Sequence, residues 1–191
     1  IGRIPGAGTE ALGAVGLCFP IIILVTGFTN MFGLGGAPLF SMALGQGNRE
    51  KAIDIQNTAL RLLVLVGAAI LLVGELLGDR ILLLFGATTE ELSLALPYLR
   101  IYLVGTIFIM VSTGMNAYIN AQGFPVVGMI SVTIGAASNL ILDPLFIFGL
   151  KLGVSGAAAA TVLSQLLSFL CVVSFLCGKK NELPGCFAGR F

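Results

Sequence analysis

Histidine is absent from the 191 residues, charged residues make up only 10%, and there are four cysteines. Without histidine the chain lacks the commonest metal ligand and the commonest proton shuttle near neutral pH. Cys18, Cys171, Cys177 and Cys186 show no CxxC spacing. Two of them fall in apolar runs as small hydrophobes, so neither a disulfide framework nor a zinc site is expected. The ten Lys and Arg are scattered and the formal net charge is +1, which leaves no basic face for nucleic acid. No basic n-region with a short apolar h-region opens the chain, so no signal peptide is expected. Any proton or cation handling must rest on carboxylates, amides, hydroxyls and backbone carbonyls.

What is present is apolar. Hydrophobic residues reach 57% and the mean hydropathy is +1.05, whereas soluble domains carry about 25% charged residues. With about 20 to 30 residues per span, the chain has room for five membrane helices and no separate soluble domain. The expected fold class is all-α, polytopic in a membrane.

The charge-free run from Glu10 to Arg49 is too long for a straight span. It reads as one extended helix over 11–43, bent by Pro20 and loosened at Gly33, Gly35 and Gly36. A polar turn over 45–51 leads to a second span, 55–77, carrying Arg61. The short apolar segment 81–87, flanked by Asp79, Arg80, Glu90 and Glu91, is expected at the membrane interface. Gln122-Gly123-Phe124-Pro125 divides the next charge-free run into spans 93–121 and 125–150. A loop with Lys151 and Gly153 precedes the last span, 157–178. Five spans put the two ends on opposite sides. Arg49 and Lys51 group with Lys179 and Lys180 on one side, which the positive-inside rule makes cytoplasmic. The opening Ile1-Gly2-Arg3 and the polar stretch after Lys179 read as the cut edges of a longer polypeptide.

In lipid the informative residues are polar, because each must face other helices or a watery cavity. On the third span Tyr98, Tyr102, Thr106, Thr113, Asn116 and Asn120 fall within about a quarter of the helix circumference. That stripe either lines a pathway or hydrogen-bonds neighbouring helices. The last span carries Thr161, Ser164, Gln165 and Ser168, and the first carries Thr26, Asn30 and Ser41. Gly156 to Ala160 reads as a close-packing surface. Gly33-Leu34-Gly35-Gly36 is no nucleotide loop, since no strand precedes it.

Asp143 stands apart as the one acid expected well inside a span, about two turns from the non-cytoplasmic end of the fourth. Placing a carboxylate there costs on the order of 3 kcal/mol on insertion scales. It therefore calls for a proton, a bound cation or a permanent basic partner. No basic residue is expected at that depth. Asn139 lies one turn earlier on nearly the same face, and Pro144 removes the N–H that would serve the Leu140 carbonyl. A carboxylate, an amide oxygen and a backbone oxygen in one turn are hard ligands suited to a non-transition cation.

Four stretches together resemble one family. They are Gly8-Thr9-Glu10-Ala11-Leu12-Gly13-Ala14-Val15-Gly16-Leu17 with Phe19-Pro20, Leu44-Gly45-Gln46-Gly47-Asn48, Asn139-Leu140-Ile141-Leu142-Asp143-Pro144-Leu145-Phe146-Ile147-Phe148, and Gly153-Val154-Ser155-Gly156-Ala157-Ala158-Ala159-Ala160-Thr161. Their order and spacing resemble the amino-terminal lobe of the multidrug and toxic compound extrusion (MATE) transporters, in the prokaryotic branch of DNA-damage-inducible-F-like exporters. The resemblance implies two six-helix lobes around a central cavity, working by alternating access. This chain would supply helices two to six of the first lobe. Function would then require the first helix and the carboxy-terminal lobe. It also implies a cation site, for Na+ or H+, at Asn139, Asp143 and Thr161, with a further acid on the first helix. Tyr98, Thr113 and Asn116 would correspond to cavity positions, where aromatic and amide groups suit an organic cation. The implied protein is an antiporter of drug-like molecules in the bacterial inner membrane, with no organic cofactor and no catalytic site.

A lipid-linked oligosaccharide flippase of the related superfamily is the alternative. Its cavity should carry several basic residues for pyrophosphate, and only Arg61 and Arg100, near helix ends, come close. An intramembrane enzyme would need a nucleophile with a base, a carboxylate pair or a metal cluster. A purely structural subunit would have no use for polar faces on three helices.

Overall fold

A computed structural model describes residues 8–178. Residues 1–7 and 179–191, with Arg3, Lys179, Lys180 and Cys186, lie outside the described residues. The described chain is five long helices: α1 (Gly8–Gly45), α2 (Arg49–Leu84), α3 (Thr89–Ala121), α4 (Pro125–Pro144) and α5 (Gly153–Cys177). A π-helical turn, Leu145–Gly149, extends α4. All five, α4 taken with its π turn, are long and apolar enough to cross a membrane.

The helix ends follow local chemistry. Asn48 caps α2, its side-chain oxygen accepting the Lys51 N–H at 3.1 Å. Thr88 and Glu91 form a reciprocal capping box at the start of α3. There Thr88 Oγ1 accepts the Glu91 N–H at 3.3 Å, and Glu91 Oε2 accepts the Thr88 N–H at 3.0 Å. Gly123, at φ +90°, makes the sharp turn into α4, and Pro125 opens that helix where its missing N–H costs nothing.

Several boundaries differ from the sequence-based expectation, and α2 and α3 begin at Arg49 and Thr89 instead of 55 and 93. The 81–87 segment is not separate from the second span, because α2 runs unbroken through Asp79 and Arg80 to Leu84. Both charged side chains are exposed, so they ride on the helix surface and give it no reason to stop. Helix α5 begins at Gly153, four residues before the expected start, and Pro38 as well as Pro20 is accommodated within α1. At 1.5 Å per residue α1 and α2 each exceed 50 Å, longer than the roughly 30 Å hydrocarbon layer.

Helix α3 is the axis of the bundle, packed against α1, α2 and α5 and more lightly against α4. Phe40, Leu63, Met110, Met115, Tyr118 and Ile119 fill one core region. Ala14, Cys18, Leu82, Leu99, Tyr102 and Leu103 fill the other. The outer surface is apolar: Leu76, Leu84 and Leu140 are 76%, 84% and 76% exposed. In water that surface would be a liability; in lipid it is the solvent-facing side.

Glycine sets the α1–α3 spacing. A Cβ at Gly33 would lie 2.9 Å from Gly114 Cα, and Gly36 faces the Tyr118 hydroxyl. That hydroxyl donates to the Phe32 carbonyl at 2.8 Å, and the Tyr118 ring meets Phe40 edge-on at 5.4 Å. Because the obstacle at Gly33 is backbone, Gly33→Ala is expected to cost about 1–3 kcal/mol of overpacking. Thermal unfolding of the detergent-solubilised protein should show a lowered midpoint; an unchanged midpoint would contradict this packing.

Candidate cation site

Three of the residues singled out in the sequence come together between α4 and α5. Asn139 and Asp143 are one turn apart on α4, and the Asn139 amide donates from Nδ2 to Asp143 Oδ1 at 3.3 Å. The same Nδ2 reaches Thr161 Oγ1 on α5 at 3.4 Å. Thr161 donates its own hydroxyl proton to the Ala157 carbonyl at 2.9 Å, so its lone pairs are left to face the amide. All three side chains are partly buried. The neighbours Leu140 and Ile141 are 76% and 69% exposed, so α4 turns one face to lipid and its polar edge to α5.

Sequence periodicity explains half of this arrangement. A four-residue step aligns Asn139 with Asp143 on any α-helix. Thr161 reaches them because α5 packs against α4, with buried Gly156 leaving no Cβ between α5 and the chain that follows α4. Among the described residues the hydrogen-bond partner of Asp143 is this amide, a neutral group.

Glu75 provides the contrast. The longer α2 puts nine residues between it and the helix end, so Asp143 is not the sole acid placed well within a helix. Glu75, however, faces Arg100 on α3 at 3.7 Å, with both side chains substantially exposed. It has the permanent basic neighbour that would make an acid merely structural. Asp143 has an amide instead.

The remaining candidates separate from one another. Tyr98, on α3, is buried and stacks on Tyr102 at 6.4 Å. Asn116 is also buried but belongs elsewhere: its Oδ1 accepts the Ser131 hydroxyl at 3.0 Å near the start of α4. Ser131 and Asn139 are eight residues apart, about 12 Å along the helix. Thr113 is exposed. The polar stripe on α3 is thus mostly enclosed, with Tyr98, Tyr102, Thr106 and Asn116 buried and only Thr113 and Asn120 exposed.

Sequence reading missed Ser131, whose one available signal was its three-residue step from Gly128 on the side of α4 that meets α3. It also missed that Thr106 Oγ1 and Gln165 Oε1 are buried with no hydrogen-bond partner among the described residues. No group of three or more His, Cys, Asp or Glu side chains arranged to hold a metal occurs among those residues.

The MatE family model matches residues 1–145, a stretch that includes Asn139 and Asp143. The multidrug export protein MepA of Staphylococcus haemolyticus is 30% identical over 174 residues, covering 91% of this chain and 38% of that protein. MepA of Staphylococcus aureus is 28% identical over 162 residues, covering 85% and 36%. The chain therefore spans well under half the length of these relatives. Among solved structures, an inward-facing multidrug resistance MATE family transporter matches with a TM-score of 0.88 at 29% identity. It covers 95% of this chain and 41% of that one. An outward-facing MATE family transporter matches with a TM-score of 0.89 at 28% identity, covering 95% and 40%. The family model spans most of the chain and the five-helix fold agrees with it: the chain belongs to the MatE family, as part of a multi-pass membrane protein.

Proposed function

We propose that the complete protein is a multidrug efflux antiporter of the bacterial inner membrane, and that this lobe carries its coupling-cation site at Asp143, Asn139 and Thr161. The observation that carries the reading is the Asn139 amide joining Asp143 and Thr161 across two helices. A carboxylate at that depth needs positive charge to be stable, and its hydrogen-bond partner among the described residues supplies only a partial one. Na+ or H+ is the charge that completes the site. The amide N–H group stands between the two oxygens. Turning the amide over presents Oδ1 in its place, so that carboxylate, amide and hydroxyl oxygens converge as hard ligands.

Coupling follows from differential affinity. A cation that binds one cavity conformation better than the other shifts the equilibrium by that difference and no more. The five-helix lobe matches an inward-facing and an outward-facing relative almost equally well, which supports motion of the lobe as a unit. The drug-like substrate would enter the cavity between this lobe and its counterpart. Of the three residues expected at the cavity, exposed Thr113 is the proposed contact on this side, and Tyr98 and Asn116, buried within the lobe, form the wall behind it. The names of the MepA relatives support export of drugs as the cargo.

Transport in proteoliposomes of the complete protein separates the roles. Asp143→Asn, which keeps shape and removes the ionisable group, should abolish Na+- or pH-gradient-driven efflux while the protein still inserts; full ion-dependent efflux would reject the assignment. Thr161→Val should raise the half-saturating ion concentration by about 10- to 100-fold, the effect of losing one hydrogen-bonding or coordinating oxygen at a charged site. Thr161→Ser keeps that oxygen and should stay near the unsubstituted value. Equal behaviour of Val and Ser at this position would remove Thr161 from the site.

A further inference from the structure

Directly after the site, α4 leaves α-helical geometry. Pro144 has no N–H to give, the Leu145 N–H goes to the Leu142 carbonyl, and Leu145–Gly149 form a π-helical turn. A π turn holds more residues than an α turn, so positions beyond it are rotated relative to a straight continuation. The widened turn is fastened to the hairpin that follows. The Leu150 N–H donates to the Leu145 carbonyl at 2.9 Å, and the Leu152 N–H donates to the Phe146 carbonyl at 3.2 Å.

Against that fastened carbonyl sits Gly156 of α5. A Cβ there would lie 2.8 Å from the Phe146 carbonyl oxygen, 3.0 Å from its carbon and 3.0 Å from Leu152 Cβ. Backbone atoms held by a hydrogen bond cannot step aside as the end of a flexible side chain can. Farther along the same helix pair the fit is looser. A Cβ at Gly135 would meet Ser168 Cβ at 3.4 Å and the Ser164 carbonyl oxygen at 3.7 Å, which is ordinary contact. The tight contact is next to the cation site on both helices, three residues from Asp143 and five from Thr161.

We propose that the Gly156–Phe146 backbone contact positions Thr161 against Asn139 and Asp143 and so sets the affinity of the site for its cation, with Gly156 as a positioning residue. This rests on the coupling role assigned above. The sensitivity comes from the geometry of the triad. At 3.4 Å the Asn139–Thr161 contact is already at the long edge of hydrogen bonding. A methyl group at 156 must push the two helices apart at the end where the triad lies. A shift of a few tenths of an ångström there withdraws Thr161 while leaving Asn139 and Asp143, which share α4, together.

The experiment measures the half-saturating Na+ concentration for efflux by the complete transporter, or the pH of half-maximal efflux where protons alone drive it. Gly156→Ala should change the cation requirement by about 10- to 100-fold, the range seen when groups supporting a metal ligand are removed; in pH this is roughly one to two units. Gly33→Ala, an equally tight backbone contact between α1 and α3, should lower the unfolding midpoint and leave the cation requirement within about twofold, in keeping with the near-independence of distant sites. A second variant, Lys151→Gly with Leu152→Pro, adds no bulk on α5 and deletes the N–H that holds the Phe146 carbonyl. Glycine at 151 keeps the positive φ of that position accessible ahead of a proline. It should shift the requirement as Gly156→Ala does, and it serves if the alanine variant fails to fold. An unchanged cation requirement in either variant, or an equal shift in Gly33→Ala, overturns the proposal. If Asp143→Asn abolishes ion dependence in the same assay, that failure belongs to the positioning idea alone; if Asp143→Asn retains it, the coupling site falls as well.

Discussion

A polar group inside a lipid-embedded bundle has to find its partner in the protein, and the Asn139 amide is where that constraint concentrates. It is held by one carboxylate on its own helix and one hydroxyl on the next, at 3.3 and 3.4 Å. Both contacts are long. A neutral donor thus occupies the position between two oxygens that a positive charge would satisfy better, and the proposed cation site rests on that arrangement. Were Asp143 paired as Glu75 is paired with Arg100, the charge would be permanently answered and nothing would be gained by binding an ion.

Other polar side chains in the membrane helices show what closed satisfaction looks like. Thr26, Thr29 and Ser164 donate to carbonyls one turn back at 2.9, 2.7 and 2.7 Å, a local arrangement that any helix offers. Ser131 bridges Asn116 and the Gly128 carbonyl at 3.0 and 2.8 Å. These contacts are short and hold helices in place. The triad differs from them in length and in carrying an ionisable member.

Small residues decide how near the helices can come, and they act at two levels. Between α1 and α3, Gly33 against Gly114 builds the body of the lobe. Between α4 and α5, Gly156 against the Phe146 carbonyl builds the spacing of the site. In lipid, where apolar burial gives helices little reason to associate, such close packing supplies much of the cohesion. On the proposed reading, contacts of the kind that hold the bundle together also fix the geometry of the cation site one turn away.

The sequence by itself determined the class, the five spans and the pairing of Asn139 with Asp143. Scarce charge and long apolar runs leave only helices in a membrane, and a four-residue step aligns two side chains whatever surrounds them. It also marked Gly156 to Ala160 as a packing surface. It could not fix where α2 ends, because Asp79 and Arg80 read as a break but are harmless on an exposed helical face. Nor could periodicity show that Asn116 turns to Ser131, that Glu75 meets Arg100, or that Pro144 is followed by a π turn. Those depend on which helices are neighbours and at what rotation. Tertiary structure alone brought Thr161 to the amide, since that meeting requires α5 to lie against α4 at the distance Gly156 permits, a quantity that no spacing within a single helix contains.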